Sequence, residues 1–260
     1  MSSLRDLIDT NMARIFNSIR QRLLKENRLT RYLVYAIGEI VLVVIGIMIA
    51  LQLNTRKEDR KSTVIERNIL EEIRNGLDKD LSDIEHNRKG HTNGIRSCTY
   101  WNDVLQGQEV NRDSVAFYYW YLTRNFTLAQ NTASYESLKS RGLELITNDE
   151  LRLHITTLYE VEYVPMKNLE ENYQETQFHD NYFNAINRII SPALVFDGEG
   201  ELVSLKTPLV LDENTRSELR GYLWRISRNR KHVLQNYDTL VDQIQKLRAH
   251  IDQELARRTE

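Results

Sequence analysis

The spacing of hydrophobic and polar positions changes several times along this chain, and each change marks an element. Residues 33–53, LVYAIGEIVLVVIGIMIALQL, are almost continuously apolar, with Glu39 as the one ionisable group. As a helix rising 1.5 Å per residue the run would span about 32 Å, close to the hydrocarbon thickness of a bilayer. The pattern predicts a single transmembrane helix. Beyond it, Ile65, Ile69, Ile73, Leu77, Leu81 and Ile84 recur at helical spacing, resumed at Ile95, Cys98, Trp101 and Leu105. Gly90 and Gly94 weaken the middle of that stripe, which predicts either a bend or a junction between two helices.

Shorter elements follow. Asp113 is placed to cap an aromatic helix over residues 115–122 that contains Tyr118, Tyr119, Trp120 and Tyr121. Tyr135 to Leu138 predict a short helix stopped by Gly142. Asn148 is expected to cap a helix opening with Asp149 and Glu150, and Pro165 to kink or interrupt it. Another helix is expected over residues 166–190. Leu194, Val195 and Phe196, then Asp197-Gly198, then Leu202 and Val203 suggest a small hairpin.

The last stretch has the cleanest period. Leu219, Leu223, Ile226, Arg230, Val233, Tyr237, Leu240, Ile244, Leu247 and Ile251 alternate steps of four and three. Such a seam predicts a long helix in a coiled coil or bundle, partnered by the helix after the membrane segment. Arg230 and Tyr237 interrupt the apolar seam and are candidates for fixing its register. Glu254 occupies the next seam position, where the pattern is expected to fray. The fold class expected is therefore mainly α: one transmembrane helix plus an elongated extracytoplasmic helical bundle with coiled-coil-like long helices.

Composition agrees with this picture. Three Pro and ten Gly among 260 residues favour long helices over a turn-rich β protein. The net charge of −2 hides an asymmetry, because residues 1–31 carry seven Lys/Arg against three Asp/Glu. Within them Leu4, Leu7, Ile8, Ile15, Phe16, Ile19, Leu23 and Leu24 form an amphipathic pattern, complemented by Arg14, Arg20, Arg22 and Lys25. A helix of this kind lies in the headgroup plane against anionic lipid, or packs on a neighbouring subunit. Thr30 is a candidate N-cap for the turn into the bilayer. The charge pattern argues against nucleic acid as the main partner.

The apolar run is too long for a signal-peptide core, so an uncleaved signal anchor is expected. Basic residues are nearly balanced across it, six in residues 14–31 against five in residues 54–72. The short basic N-terminus and long C-terminal region favour a cytoplasmic N-terminus. The domains expected are a cytoplasmic amphipathic basic helix (1–31), the transmembrane helix (32–54) and a periplasmic helical bundle (55–260).

Candidate chemistry is sparse. The sequence has no Gly-rich phosphate loop, His-Glu-x-x-His motif or nucleophile elbow, and its six histidines are scattered. No enzyme activity, metal or cofactor is expected. Cys98, the single cysteine, excludes an intrachain disulfide and reads as a core residue. Inside the span, Glu39, Gly46 and Ala50 are separated by seven and four residues and share one helix face. Gly46-x-x-x-Ala50 permits close helix approach, so this face is the candidate helix-packing or intramembrane polar site. Tyr118, Tyr119, Trp120 and Tyr121 are the candidate contact aromatics, with packing against the long helices as their alternative role.

Arg22-Leu23-Leu24 with Glu26-Asn27, Tyr32 through Ile40 (YLVYAIGEI), Val43 through Ile47 (VVIGI) and Ile49 through Asn54 (IALQLN) resemble a Bacteroidota family of single-span membrane proteins of unknown function. Tyr135 through Ser140 (YESLKS) and Leu145 through Arg152 (LITNDELR) extend the resemblance less sharply. Members often carry a Trp after the Gln-x-Asn, where this chain has Thr55-Arg56-Lys57. The resemblance implies inner-membrane residence and a helical periplasmic domain, and it supplies no activity. The expected function is an inner-membrane-anchored interaction or scaffold protein that forms a homo-oligomer or joins a membrane protein partner. A periplasmic ligand sensor and a proton-coupled accessory subunit using Glu39 are the alternatives.

Overall fold

A computed structural model describes residues 28–257, and the chain divides into two units, Met1–Val64 and Ile65–Glu260. The amphipathic helix expected within residues 1–31 lies outside the described residues, apart from the backbone at its end. The first described element is helix α1, Arg28–Leu105. Thr30 sits inside this helix rather than capping it, since no Gly or Pro between Arg28 and Ile37 interrupts the helical backbone.

In the first unit, the described side chains are exposed throughout, Tyr35 being half-buried. The stretch is long and apolar enough to cross a membrane. Just past the apolar run, the Thr55 hydroxyl donates to Leu51 O (3.0 Å) and the Asn54 amide to Glu58 (3.0 Å), both bonds within one turn.

The second unit is mainly helical. Its elements are the later part of α1, then α2 (Val115–Thr123), α3 (Ala133–Arg141), α4 (Asp149–Thr157), α5 (Tyr163–Lys167), α6 (Asn184–Ile190) and α7 (Glu213–Arg257). Strands β1 (Leu194–Phe196) and β2 (Leu202–Leu205) form the expected antiparallel hairpin. Its turn is held by Asp197, whose carboxylate accepts from the Glu199 and Glu201 amides.

Helix α7 runs antiparallel to the second-unit part of α1. Ion pairs Arg74–Asp252, Asp78–Arg248 and Arg88–Asp238 join residues that advance along α1 as they retreat along α7. Every seam residue from Leu219 to Ile251 is buried, as the three-four spacing requires. Glu254 is buried too, and the helix continues to Arg257 instead of fraying. The reason is a polar corner. Asn148 caps α4 by accepting from the Glu150 and Leu151 amides (3.1 Å each), and its own amide donates to Glu254 (2.8 Å). The neighbouring Thr147 N–H donates to the buried carboxylate of Glu66 (2.7 Å).

Two further expectations are corrected. Asp113 does not cap α2: Asn111 caps a preceding 3-10 turn by accepting from the Asp113 amide (3.0 Å). Pro165 does accompany an interruption of the α-helix, as expected: a π turn at Leu158–Glu162 separates α4 from α5, just ahead of the ring that removes a donor. The helix expected over residues 166–190 is two. It ends in a second π turn, Asn168–Asn172, Tyr173 is extended, and the chain becomes helical again near His179.

Helix α1 is unbroken at Gly90 and Gly94. Both glycines serve close approach. A Cβ at Gly90 would lie 2.5 Å from the Phe126 ring, and one at Gly94 would lie 2.4 Å from Arg230 Cζ. Gly142 ends α3 at φ +105°, a conformation open to glycine. The apolar core consequently forms two clusters, one around Leu70, Leu77, Leu151 and Leu247, the other around Trp101, Leu122, Ile186 and Leu219. Gly94→Ala should destabilise the second unit by about 1–3 kcal/mol through overpacking. Gly221→Ala, on an open face of α7, should stabilise it by about 0.5–1 kcal/mol. Urea denaturation of both variants checks the opposite signs.

Candidate functional site

The predicted intramembrane residues are placed where a neighbour could reach them. Glu39, Gly46 and Ala50 are all exposed, and a Cβ built at Gly46 would meet nothing within 4 Å. Their spacing puts a carboxylate and two small residues along one stripe, which admits a second helix at close range.

The aromatic helix α2 is spread among different roles. Tyr118 stacks on Tyr100 with centroids 4.3 Å apart. Tyr119 donates its hydroxyl to Asn187 and meets Trp101 edge-on. Tyr121 lies parallel to Phe126 at 6.0 Å. Trp120 stays 45% exposed, its ring edge-on to Tyr121 (4.7 Å) and Phe126 (6.2 Å), with the Arg124 guanidinium 4.6 Å above it. All four candidate aromatics therefore have partners in the second unit, and Trp120 is the most exposed of them.

The most elaborate site was not foreseen. Between α2 and α3 the chain crosses the second unit as an irregular strap, residues 124–132. Its backbone is held by side chains of both signs. Arg230 Nη2 donates to the carbonyls of Tyr121 (3.2 Å), Leu122 (3.3 Å) and Arg124 (2.9 Å). Farther on, Glu170 accepts from the Leu128 amide (2.9 Å), Asp83 from Ala129 (2.9 Å) and Asp80 from Asn131 (2.9 Å). Asn87 donates to Thr127 O (3.0 Å). Phe126 is the strap's buried anchor, set against Gly90 and the His91 ring.

Two of the gripping residues, Asp80 and Asn87, carry a sequence signal that Glu66 and His91 share. Glu66, Asp80, Asn87 and His91 fall on the same three-four spacing as Ile73, Leu77 and Ile84, so they are polar residues at core positions. Their partners in the strap carry no such signal. Arg230 and Tyr237 were recognisable as seam interruptions, and each now has a target: Arg230 the strap, Tyr237 the Glu170 carboxylate.

Residues 39–192 match the model of a family of unknown function, DUF6090, which covers more than half of the chain. The chain belongs to DUF6090. No curated protein and no solved structure matches it. The DUF6090 region contains the strap together with Asp80, Asp83, Asn87, His91 and Glu170, whereas Arg230 and Tyr237 lie beyond it. It opens at Glu39, inside the apolar run.

The strap site of this DUF6090 member is electrostatically unusual. Burial raises Asp80 from its ordinary carboxylate value despite its bonds from Asn131 and Tyr163, the latter at 2.5 Å. Burial likewise raises Glu170, against bonds from Tyr237 and the Leu128 amide. His91 is pushed down to about 3, first by burial and then by the Arg230 charge. Neither His91 ring nitrogen has a hydrogen-bond partner. Burial lowers Arg230 to about 10, leaving it a cation at neutral pH. Cys98, buried in the second cluster, is pushed up to about 12 by burial and is held as an unreactive thiol. Among the described residues, no group of three or more His, Cys, Asp and Glu is arranged to hold a metal ion.

The arrangement grips backbone, and it also couples folding to pH. Below pH 6.5 the unfolded chain protonates at His91 while the folded chain resists down to about 3. His91 therefore removes about 1.4 kcal/mol of stability per pH unit across that window. Asp80 and Glu170 act oppositely, because raised carboxylates bind protons more readily in the folded state. His91→Phe should flatten the loss of stability between pH 6 and 4, and Asp80→Asn should steepen it. Urea titrations at several pH values measure both slopes. An unchanged slope in His91→Phe would remove His91 from this account.

Proposed function

We propose that this chain is a membrane-anchored helical interaction protein, a scaffold that assembles with itself or with another envelope protein. The observation that carries this reading is the exposure of the apolar run at residues 33–53. Side chains such as Ile37, Ile40, Val43, Ile47 and Leu51 are 55–62% exposed. A continuous apolar surface of this length calls for hydrocarbon around it. Along that surface Glu39, Gly46 and Ala50 supply what helix association in a bilayer uses: small residues for close approach and a polar group that seeks a partner.

In this reading the anchor sits in the inner membrane as a single pass, with residues 1–31 on the cytoplasmic side against anionic lipid and residues 55–260 in the periplasm. The basic N-terminus supports that orientation. The Glu39 stripe receives a second copy or a membrane partner, and no catalytic step is assigned.

The test is gentle purification of the full chain from native membranes, followed by the mass of the complex and of every co-purifying chain. A homo-oligomer or a stoichiometric second protein is the expected result. Gly46→Leu should weaken that assembly at least tenfold, since the added side chain blocks the close-approach face. Glu39→Gln should preserve it, because an amide still hydrogen-bonds. A clean monomer from the unaltered chain would overturn the proposal.

A further inference from the structure

A recess of about 740 Å³ opens in the second unit between the π turn after α5 and the middle of α7. One wall is Asn168, Leu169, Asn172, Tyr173 and Glu175, and the other is Arg228, Asn229, Lys231, His232, Gln235 and Asn236. Its volume lies in the range of small-molecule sites. It is separate from the strap grip and from the membrane stripe.

The first wall is built to hold one shape. Tyr173 N–H closes the π turn onto Asn168 O (2.8 Å). Carbonyls freed by the turn are then taken by side chains: Leu169 O by Thr176 Oγ1 (2.5 Å) and Glu170 O by Gln177 Nε2 (2.8 Å). Asn181 Nδ2 donates to Gln174 O (2.5 Å), and Asn229 Nδ2 reaches from α7 to Glu175 O (2.5 Å). A wall fixed by its own bonds presents its remaining groups without an ordering cost.

Those remaining groups have a definite chemistry. Arg228 and Lys231 make no ion pair among the described residues, while Glu175 is the one carboxylate of the lining. Five amide side chains converge on the same space. Several of their atoms are unspent, since Asn172 and Asn236 use Nδ2 internally, on Asn168 Oδ1 and His232 O, and keep their oxygens. Tyr173, half exposed, offers a flat apolar face at the rim. Cations select an anionic group, amides select hydroxyls by donating and accepting together, and an aromatic face suits a ring edge.

We infer that this recess binds a small polyhydroxylated anion, a sugar acid or a sugar phosphate, with Arg228 and Lys231 on the anionic group and the amides on the hydroxyls. This site stands independently of the assembly proposed above.

Isothermal titration of the full chain in detergent with glucuronate, glucose 6-phosphate, glucose and inorganic phosphate tests it. Saturable binding of glucuronate or glucose 6-phosphate is expected, at least tenfold tighter than glucose and than inorganic phosphate. The tighter of the two charged sugars identifies the anionic group as carboxylate or phosphate. Arg228→Gln with Lys231→Gln should weaken binding at least tenfold, and Tyr173→Ala severalfold. All three positions are exposed, so an unchanged melting temperature is expected and separates lost binding from lost fold. The inference is overturned by absence of saturable binding to either charged sugar. It is equally overturned if inorganic phosphate binds as tightly as the sugar phosphate, or if affinity survives the charge-removing pair.

Discussion

The second unit depends on one contact, the Arg230 guanidinium laid against Gly94. Arg230 is nearly fully buried, and its Nη2 serves three carbonyls at once, those of Tyr121 and Leu122 at the end of α2 and that of Arg124 at the start of the strap. A guanidinium can satisfy several acceptors only if its plane comes close to all of them, and any side chain at position 94 would occupy that plane. The glycine costs helix stability in isolation, at roughly 1 kcal/mol relative to Ala. Here the loss is offset by carbonyls that would otherwise be buried without donors, each a penalty of about 1–3 kcal/mol.

From that contact follows the division of the core. The apolar seams of α1 and α7 are interrupted at matching heights by Asn87, His91, Gly94 and Arg230, and the two hydrophobic clusters lie on either side. The strap fills the gap. An irregular segment crossing a core brings unpaired amides and carbonyls with it, and buried backbone groups must find partners. This chain answers with donors at one end, on Arg230, and acceptors at the other, on Glu170, Asp83 and Asp80. Because the grip is on backbone, it places few demands on the strap's side chains beyond the Phe126 anchor.

The same facts explain what could be learned from sequence. The apolar run, the α7 seam and the hairpin were legible because periodicity and turn residues are local signals, and the α7 seam matches the buried residues position by position. The cap of α4 and the stop at Gly142 were legible for the same reason. Gly90 and Gly94 were misleading: a weak point for an isolated helix is a docking point once Phe126 and Arg230 arrive from elsewhere in the chain. Asp80 and Asn87 occupy core positions of the α1 stripe, but their partners in the strap lie 40 or more residues away in a segment without period. The recess beside α7 was invisible because its two walls, within residues 165–175 and 228–236, lie far apart in the sequence.

The two units answer the problem of polar and apolar groups in opposite ways. In the second, the buried carboxylates Glu66, Asp80, Glu170 and Glu254 each receive at least one hydrogen bond from within the unit, so burial there is self-contained. In the first, the described part of α1 exposes a run of Ile, Val and Leu and offers a single carboxylate, Glu39, on the same surface. Water would penalise the apolar side chains, and a bilayer alone would penalise the carboxylate. In the assembly proposed above, hydrocarbon would surround the apolar side chains and a second helix would meet Glu39, with Gly46 and Ala50 leaving room for close approach.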